Sequence, residues 1–315
     1  MRILSERVRA GSDDVQHIVP LFGTGLVGGS IVHVLERAGW TNTEIPYDWT
    51  DAASRAAAAK AIARKIDAIA ASAAGPVRVS TIWAAGRNGF ASTAAQMAEE
   101  TILLEEVLDQ ATALQAALPA ARHSFHHMSS AGGLFEGQSH VAENTAPAPI
   151  RPYGIGKLEQ EAIVHRLPET VPAIIYRPSS VYGWRPGGRY GLFAALIRGA
   201  LEGRPTRIFG TVNTVRDYVY ADDIARFISA RILRSVSAGT YLLASAKPTS
   251  MYEAIHVTEE IMQAHLLLHY DTSPDNTRNM SFLVSALPAG WHSTPLRLGI
   301  SHMVRSIRDN LLLNR

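Results

Sequence analysis

Apolar residues along the chain fall into short continuous runs that alternate with longer stretches of helical spacing. Residues 16–22 read as a buried strand and 30–38 as a helix ended by Gly39, with a glycine-rich turn between them. Residues 43–48 fit a second strand, 51–74 an alanine-rich helix closed by Gly75-Pro76, and 77–84 a further strand. From 93 to 118, Met97, Ile102, Leu104, Leu108, Ala111 and Leu114 recur at roughly helical spacing, predicting one long amphipathic helix stopped by Pro119. Residues 123–129 return as a strand, 153–166 as a helix and 173–177 as a strand. This alternation implies right-handed βαβ units, and so an α/β fold: a Rossmann-type, doubly wound parallel sheet whose crevice opens at the carboxyl ends of the strands. Beyond Gly183 the pattern changes to Pro/Gly-rich turns and short elements. The expected organisation is a dinucleotide-binding domain (15–183 plus about 220–245) and a smaller C-terminal substrate-binding lobe (184–219 plus about 246–315). The charged residues 1–14 read as an N-terminal extension ahead of the fold.

Composition narrows the class. With 315 residues, 47% of them apolar and 18% charged, the chain carries enough for one large core and a smaller lobe and lacks the signature of disorder. The net charge of +2 comes from singly scattered basic residues, which argues against a nucleic-acid partner. The absence of cysteine excludes disulfides, thiolate nucleophiles and Cys-ligated zinc. The uncharged stretch 18–32 is too short to span a bilayer, and Asp13, Asp14 and four glycines make it a poor signal peptide. The expectation is a cytoplasmic protein with no membrane association.

Gly23-Thr24-Gly25-Leu26-Val27-Gly28 fits GxGxxG between a predicted strand and a predicted helix. In such a turn the first glycine makes the bend, the second lets backbone approach a diphosphate, and the third allows close helix–strand packing. The structural alternative is an ordinary glycine-rich turn. Asp48 lies twenty residues beyond Gly28, where an acid accepts hydrogen bonds from an adenosine ribose and favours NAD. Only one strand fits between Gly39 and the alanine-rich helix where two are expected, so Asp48 is equally placed to end a third-position strand near adenine or to begin the helix. NADP remains open, although the nearest arginine for a 2′-phosphate is Arg55.

Tyr153-Gly154-Ile155-Gly156-Lys157 sets a phenol and an ammonium one helical turn apart. The charge can make the phenol a usable acid/base near neutrality, and the lysine can hold a ribose hydroxyl. With ten tyrosines but only four lysines in the chain, this spacing is uncommon by chance. Gly154 and Gly156 are poor helix formers and read here as room for a ligand. Ser129 and Ser130 end the preceding strand on the same edge of the sheet, where a hydroxyl can meet a reacting oxygen beside Tyr153.

Taken together, these stretches resemble the extended short-chain dehydrogenase/reductases, specifically the NAD-dependent epimerase/dehydratase family. Supporting matches are Trp83-Ala84-Ala85-Gly86, His127-Met128-Ser129-Ser130-Ala131-Gly132, Arg177-Pro178-Ser179-Ser180-Val181-Tyr182-Gly183 and Arg216-Asp217-Tyr218-Val219-Tyr220-Ala221-Asp222-Asp223. The ending Gly290-Trp291 with Thr294-Pro295-Leu296 and Gly299-Ile300 is also similar. The resemblance implies that Tyr153 is the acid/base, that Lys157 tunes it and holds the nicotinamide ribose, and that Ser130, with Ser129 as its rival, binds the substrate hydroxyl. Ala84, Ala85 and Pro178 would lie beside the cofactor, and Ser180 and Arg216 on the substrate, for which the resemblance implies a nucleotide-sugar. Hydride would pass between a sugar carbon and the nicotinamide. Three departures stand out. Phe22 replaces a family glycine, Ser180 stands where asparagine is frequent, and Ala131 and Gly132 stand where dehydratases carry two acids.

His123, His126 and His127 crowd one strand, but alternation puts His126 and His127 on opposite faces, so packed histidines are expected and no metal. The resemblance also implies a homodimer through the helices 93–118 and 153–166. The leading reading is an NAD(P)-dependent epimerase/oxidoreductase. An NADPH-dependent carbonyl reductase of the same fold and a non-catalytic dinucleotide sensor are the alternatives.

Overall fold

The computed structural model describes residues 1–10, 13–188, 191–234, 237–271 and 277–313. Along the chain run β1 (Arg2–Ala10), β2 (Asp13–Phe22), α1 (Leu26–Arg37), β3 (Thr41–Glu44), α2 (Ala52–Ala71), β4 (Val77–Trp83), α3 (Ala94–Ala117) and β5 (Arg122–Met128). There follow α4 (Ala131–Leu134), α5 (Pro152–Val164), β6 (Ala173–Pro178), β7 (Ser180–Tyr182), α6 (Leu192–Glu202), β8 (Thr206–Phe209), β9 (Val215–Arg216), β10 (Tyr218–Tyr220) and α7 (Ala221–Leu233). The last elements are β11 (Gly239–Leu243), β12 (Thr249–Ser250), α8 (Met251–Met262), β13 (Leu268–Asp271) and α9 (Leu296–Leu313).

Seven strands form the main sheet in the order β11-β6-β5-β4-β2-β1-β3. From β11 to β2 all neighbours are parallel, as the strand–helix alternation predicts. Ile18, Phe22, Val79, Trp83 and Phe125 bury one face under α2 and α3, whereas Leu21, Ile82, Ile174 and Tyr176 bury the other under α1 and α7. Local chemistry sets the helix starts. Asp51 caps α2 by accepting from the Ala53 N–H at 2.9 Å, and Thr93 with Gln96 forms a reciprocal box at the head of α3.

The N-terminus corrects the reading of residues 1–14 as an extension outside the fold. Residues 2–10 form β1, an antiparallel strand inserted between β2 and β3. Ile3 and Leu4 are adjacent and both fully buried, one toward each layer, as an interior strand requires. The charges that mask this strand belong mostly to its outer half. Among the described residues no third strand pairs with 8–10 and 13–15. Consequently β3 occupies the place two strands from β2, at the sheet edge.

A further apolar core gathers Phe193, Ile197, Ile208, Tyr218, Met251, Ile255, Ile300 and Met303 from the segments expected to form the smaller lobe, together with Tyr182 just before them. Three two-stranded pairs, β7–β10, β8–β13 and β9–β12, brace it. Among the described residues no helix is long and apolar enough to cross a membrane.

Candidate active site

Each glycine of the turn after β2 has its own physical reason. Gly23 has φ +93°, and a Cβ there would stand 2.4 Å from the Ala84 carbonyl oxygen and the Ala85 Cα. At Gly28 a Cβ would sit 1.9 Å from the Gly23 oxygen, so only glycine lets α1 begin so close to the strand. Gly25, by contrast, has nothing within 4 Å of an added Cβ. It is the N-cap of α1, has no capping side chain, and with Leu26 and Val27 lines a cavity of about 450 Å³. Uncapped N–H groups at a helix start in an open cradle are the donor set a diphosphate takes. The Phe22 ring is buried on the opposite side, edge-on to Tyr47 at 5.6 Å, and leaves the cradle clear. Thr24 is exposed on the turn.

The same cavity is lined by Ala84, Ser129, Ser130, Tyr153, Lys157 and Pro178, bringing together the ends of β4, β5 and β6 and the first turns of α5. The wall also includes Gly86, Asn88, Met128 and Ser179, to none of which the sequence assigned a site role. Pro152 opens α5 at a position where its missing N–H costs nothing and presents Tyr153 at the helix start. Gly154 and Gly156 correct the expectation that they make room for a ligand. A Cβ on Gly154 would lie 2.1 Å from the Gly133 oxygen, and one on Gly156 2.8 Å from the Met97 side chain. They let α5 press onto α4 and α3.

Tyr153 is half-buried, edge-on to Phe90 at 5.9 Å, with the Lys157 ammonium 6.0 Å from its ring centre. Lys157 is fully buried and donates to Glu100 Oε1 at 2.8 Å and to Gln160 Oε1 at 3.0 Å. Burial pushes the Glu100 carboxyl up, but the charge and hydrogen bond of Lys157, helped by Gln160 and the Arg87 N–H, outweigh it and hold the group below its ordinary value. Glu100 follows the helical spacing of Met97 and Leu104 on α3, the signal that could have revealed a buried acid.

The two serines differ in their bonds. Ser129 donates to Glu161 Oε1 at 2.5 Å, and Glu161 in turn holds Arg177 in a two-pronged pair. Ser130 caps α4 by accepting from the Gly133 N–H at 3.1 Å, which leaves its own hydroxyl proton to donate. Ser179, not Ser180, faces the cavity and donates to Asp217 Oδ1 at 2.5 Å. Asp217 is fully buried and also collects the Ser245 N–H and hydroxyl, tying the end of β6 to the segment after β11.

Ala85, Ser180, Arg216 and Asp48, like Gly23, Thr24 and Gly28 of the turn, stand outside the lining of this cavity. Ala85 lines a neighbouring hollow of about 370 Å³ with Trp49 and Trp83, whose buried indole N–H has no partner among the described residues. Ser180 is in β7, paired with Tyr218. Arg216 is buried and donates to the carbonyls of Val215 and Arg278. Asp48 is exposed beyond β3 and accepts from the Thr50 N–H at 2.8 Å and its hydroxyl at 2.7 Å, bonds that lower its pKa. Because β1 takes the place beside β2, β3 lies one position further out, and Asp48 falls between the end of β3 at Glu44 and the start of α2.

His126 is fully buried, bonded to the Tyr176 hydroxyl at 2.9 Å and the Ser124 hydroxyl at 3.1 Å, and burial pushes its pKa down to about 3. Among the described residues no cluster of three or more acids and histidines is placed to hold a metal.

Known proteins place this geometry in a family. The profile of the NAD dependent epimerase/dehydratase family matches residues 23–244. The uncharacterized UDP-glucose epimerase YtcB of Bacillus subtilis is 32% identical over 176 residues, covering 52% of this chain and 55% of that protein. A UDP-glucose 4-epimerase of Mycolicibacterium smegmatis is 33% identical over 104 residues, 31% of this chain and 33% of the relative. The chain thus spans about half or less of the length of these curated relatives in the matched stretch. Among solved structures, MoeE5 in complex with UDP-glucuronic acid and NAD superposes with a TM-score of 0.70 at 20% identity, over 95% of this chain and all of that one. The Thermotoga maritima UDP-glucose 4-epimerase with UDP-glucose gives a TM-score of 0.68 at 18% identity, over 93% and 99%. At these identities the superpositions speak for the fold, and the match over 23–244 for the lineage: the chain belongs to the NAD-dependent epimerase/dehydratase family.

Proposed function

We propose that the protein is an NAD-dependent epimerase/oxidoreductase acting on a nucleotide-activated sugar, with Tyr153 as its acid/base. The observation that carries this reading is the shared lining of one cavity by the open glycine Gly25, the pair Tyr153 and Lys157, and Ser130. Gly25 and the head of α1 would take the diphosphate, Ala84 and Pro178 would border the dinucleotide, and Lys157 would hold its nicotinamide ribose. Bound there, the nicotinamide supplies reversible hydride acceptance from a sugar carbon. Ser130 donates to the sugar oxygen and fixes it beside the phenol. Tyr153 takes the hydroxyl proton during oxidation and returns it during reduction. Ala131 and Gly132 contribute no acid or base after Ser130, which favours epimerisation over dehydration. Relatives named for UDP-glucose support a nucleotide-hexose substrate.

A second reading, net carbonyl reduction with NADPH, draws on one feature: β1 stands beside β2 where a ribose-binding acid is expected, and Asp48 is exposed at the outer edge. We also place a homodimer contact on α3 and α5, whose Ile102 and Ile155 are exposed.

The test is Tyr153→Phe, followed by NMR of UDP-glucose and by NAD titration. Interconversion of the sugar epimers should fall by about a hundredfold or more while NAD affinity stays within about twofold. Undiminished interconversion would remove Tyr153 from the reaction, and steady NADPH consumption by the wild-type protein would favour the reductase.

A further inference from the structure

Glu100 is a buried carboxylate that the reaction above does not use. It lies on α3, and its bonds run to Lys157 and Gln160 on α5 and to Arg87 and Asn88, of which Lys157 and Asn88 line the cavity. Oε1 receives the Lys157 ammonium at 2.8 Å and the Gln160 amide at 3.2 Å. Oε2 receives the backbone N–H groups of Arg87 and Asn88 at 2.8 and 3.1 Å, and the Asn88 side-chain amide at 3.0 Å. One side chain thus joins the helix carrying Tyr153 to the segment 86–89. Gly86 allows the approach, since a Cβ there would stand 3.2 Å from the Lys157 nitrogen.

An ammonium has three N–H donors and no acceptor. Glu100 and Gln160 take two, which leaves one for a group in the cavity that Lys157 lines. A buried ammonium lacking a counter-charge withdraws from the low-dielectric site or loses its proton. We propose that Glu100 is a positioning residue: by neutralising Lys157 and fixing two of its donors, it aims the third at the nicotinamide ribose of the bound dinucleotide. This rests on the reading of the cavity given above.

The experiment is a double-mutant cycle on binding. NADH, followed by its fluorescence, and ADP, followed by calorimetry, are titrated into the wild type, Glu100→Gln, Lys157→Met and the double variant. NADH binding by the wild type secures the dinucleotide reading independently of Glu100, and its failure overturns both. Given that binding, Glu100→Gln should weaken NADH by about tenfold and ADP, which lacks the nicotinamide end, by less than about twofold. In the Lys157→Met background the same substitution should change NADH affinity by less than about twofold. Equal weakening of NADH and ADP, an unchanged NADH affinity in Glu100→Gln, or an equal loss with and without Lys157 would each overturn the positioning role. If Glu100→Gln does not fold, Lys157→Met against the double variant still decides: equal NADH affinity supports the role and unequal affinity overturns it.

Discussion

The two ends of the crevice are built differently. At the inner end, under β5, β6 and α5, buried polar side chains are bonded to buried partners: Lys157 to Glu100 and Gln160, Ser129 to Glu161, Ser179 to Asp217. At the outer end, β3 is four residues long, β1 runs against the sheet direction, and the exposed Asp48 carboxylate accepts from Thr50 in its own turn. The inner end is preorganised for chemistry, where a misplaced proton donor is costly. The outer end needs only to retain one half of a long ligand, so it tolerates a rebuilt strand order.

Substitutions should reproduce this contrast. The largest effect belongs to the inner end, in the loss of turnover on Tyr153→Phe already described. A smaller effect follows from β5 beneath it. His126 is buried neutral, with its pKa pushed by burial down to about 3 from an ordinary 6.5. Between those values the unfolded chain binds the proton and the folded chain does not, so this residue's contribution to stability is present above pH 6.5 and falls away as the pH drops toward 3. Urea titrations at pH 7 and 4.5 should show lower stability at 4.5, and His126→Gln should narrow that difference. An unchanged gap would take His126 out of the acid response. The smallest effect belongs to the outer end: Asp48→Asn should shift NAD affinity by less than about threefold by calorimetry. A loss of about tenfold or more would put Asp48 on the ribose after all and erase the contrast.

What could be read from the sequence follows the same division. The glycine turn and the Tyr153/Lys157 spacing were legible because their meaning is local: three glycines with separate steric duties, and two side chains one helical turn apart. The parallel order from β2 to β11 followed from strand–helix alternation. The insertion of β1 was not legible, since the charges of residues 6, 7 and 9 outweigh the buried pair Ile3 and Leu4, and no local signal tells a strand which neighbour it will join. Gly154 and Gly156 were misread for a related reason, because their partners Gly133 and Met97 are distant in sequence. Glu100 was not singled out, because the partners that give it meaning come from α5 and from segment 86–89.

The claim on which the account turns is that Gly25 marks the diphosphate site. Calorimetric titration of NAD into the wild type and Gly25→Val tests it most directly, because the position is open and the substitution fills the cradle without touching the core. Saturable binding is expected for the wild type, with a loss of about tenfold or more in the variant and an unchanged melting temperature. Equal NAD affinity in the two proteins would contradict it.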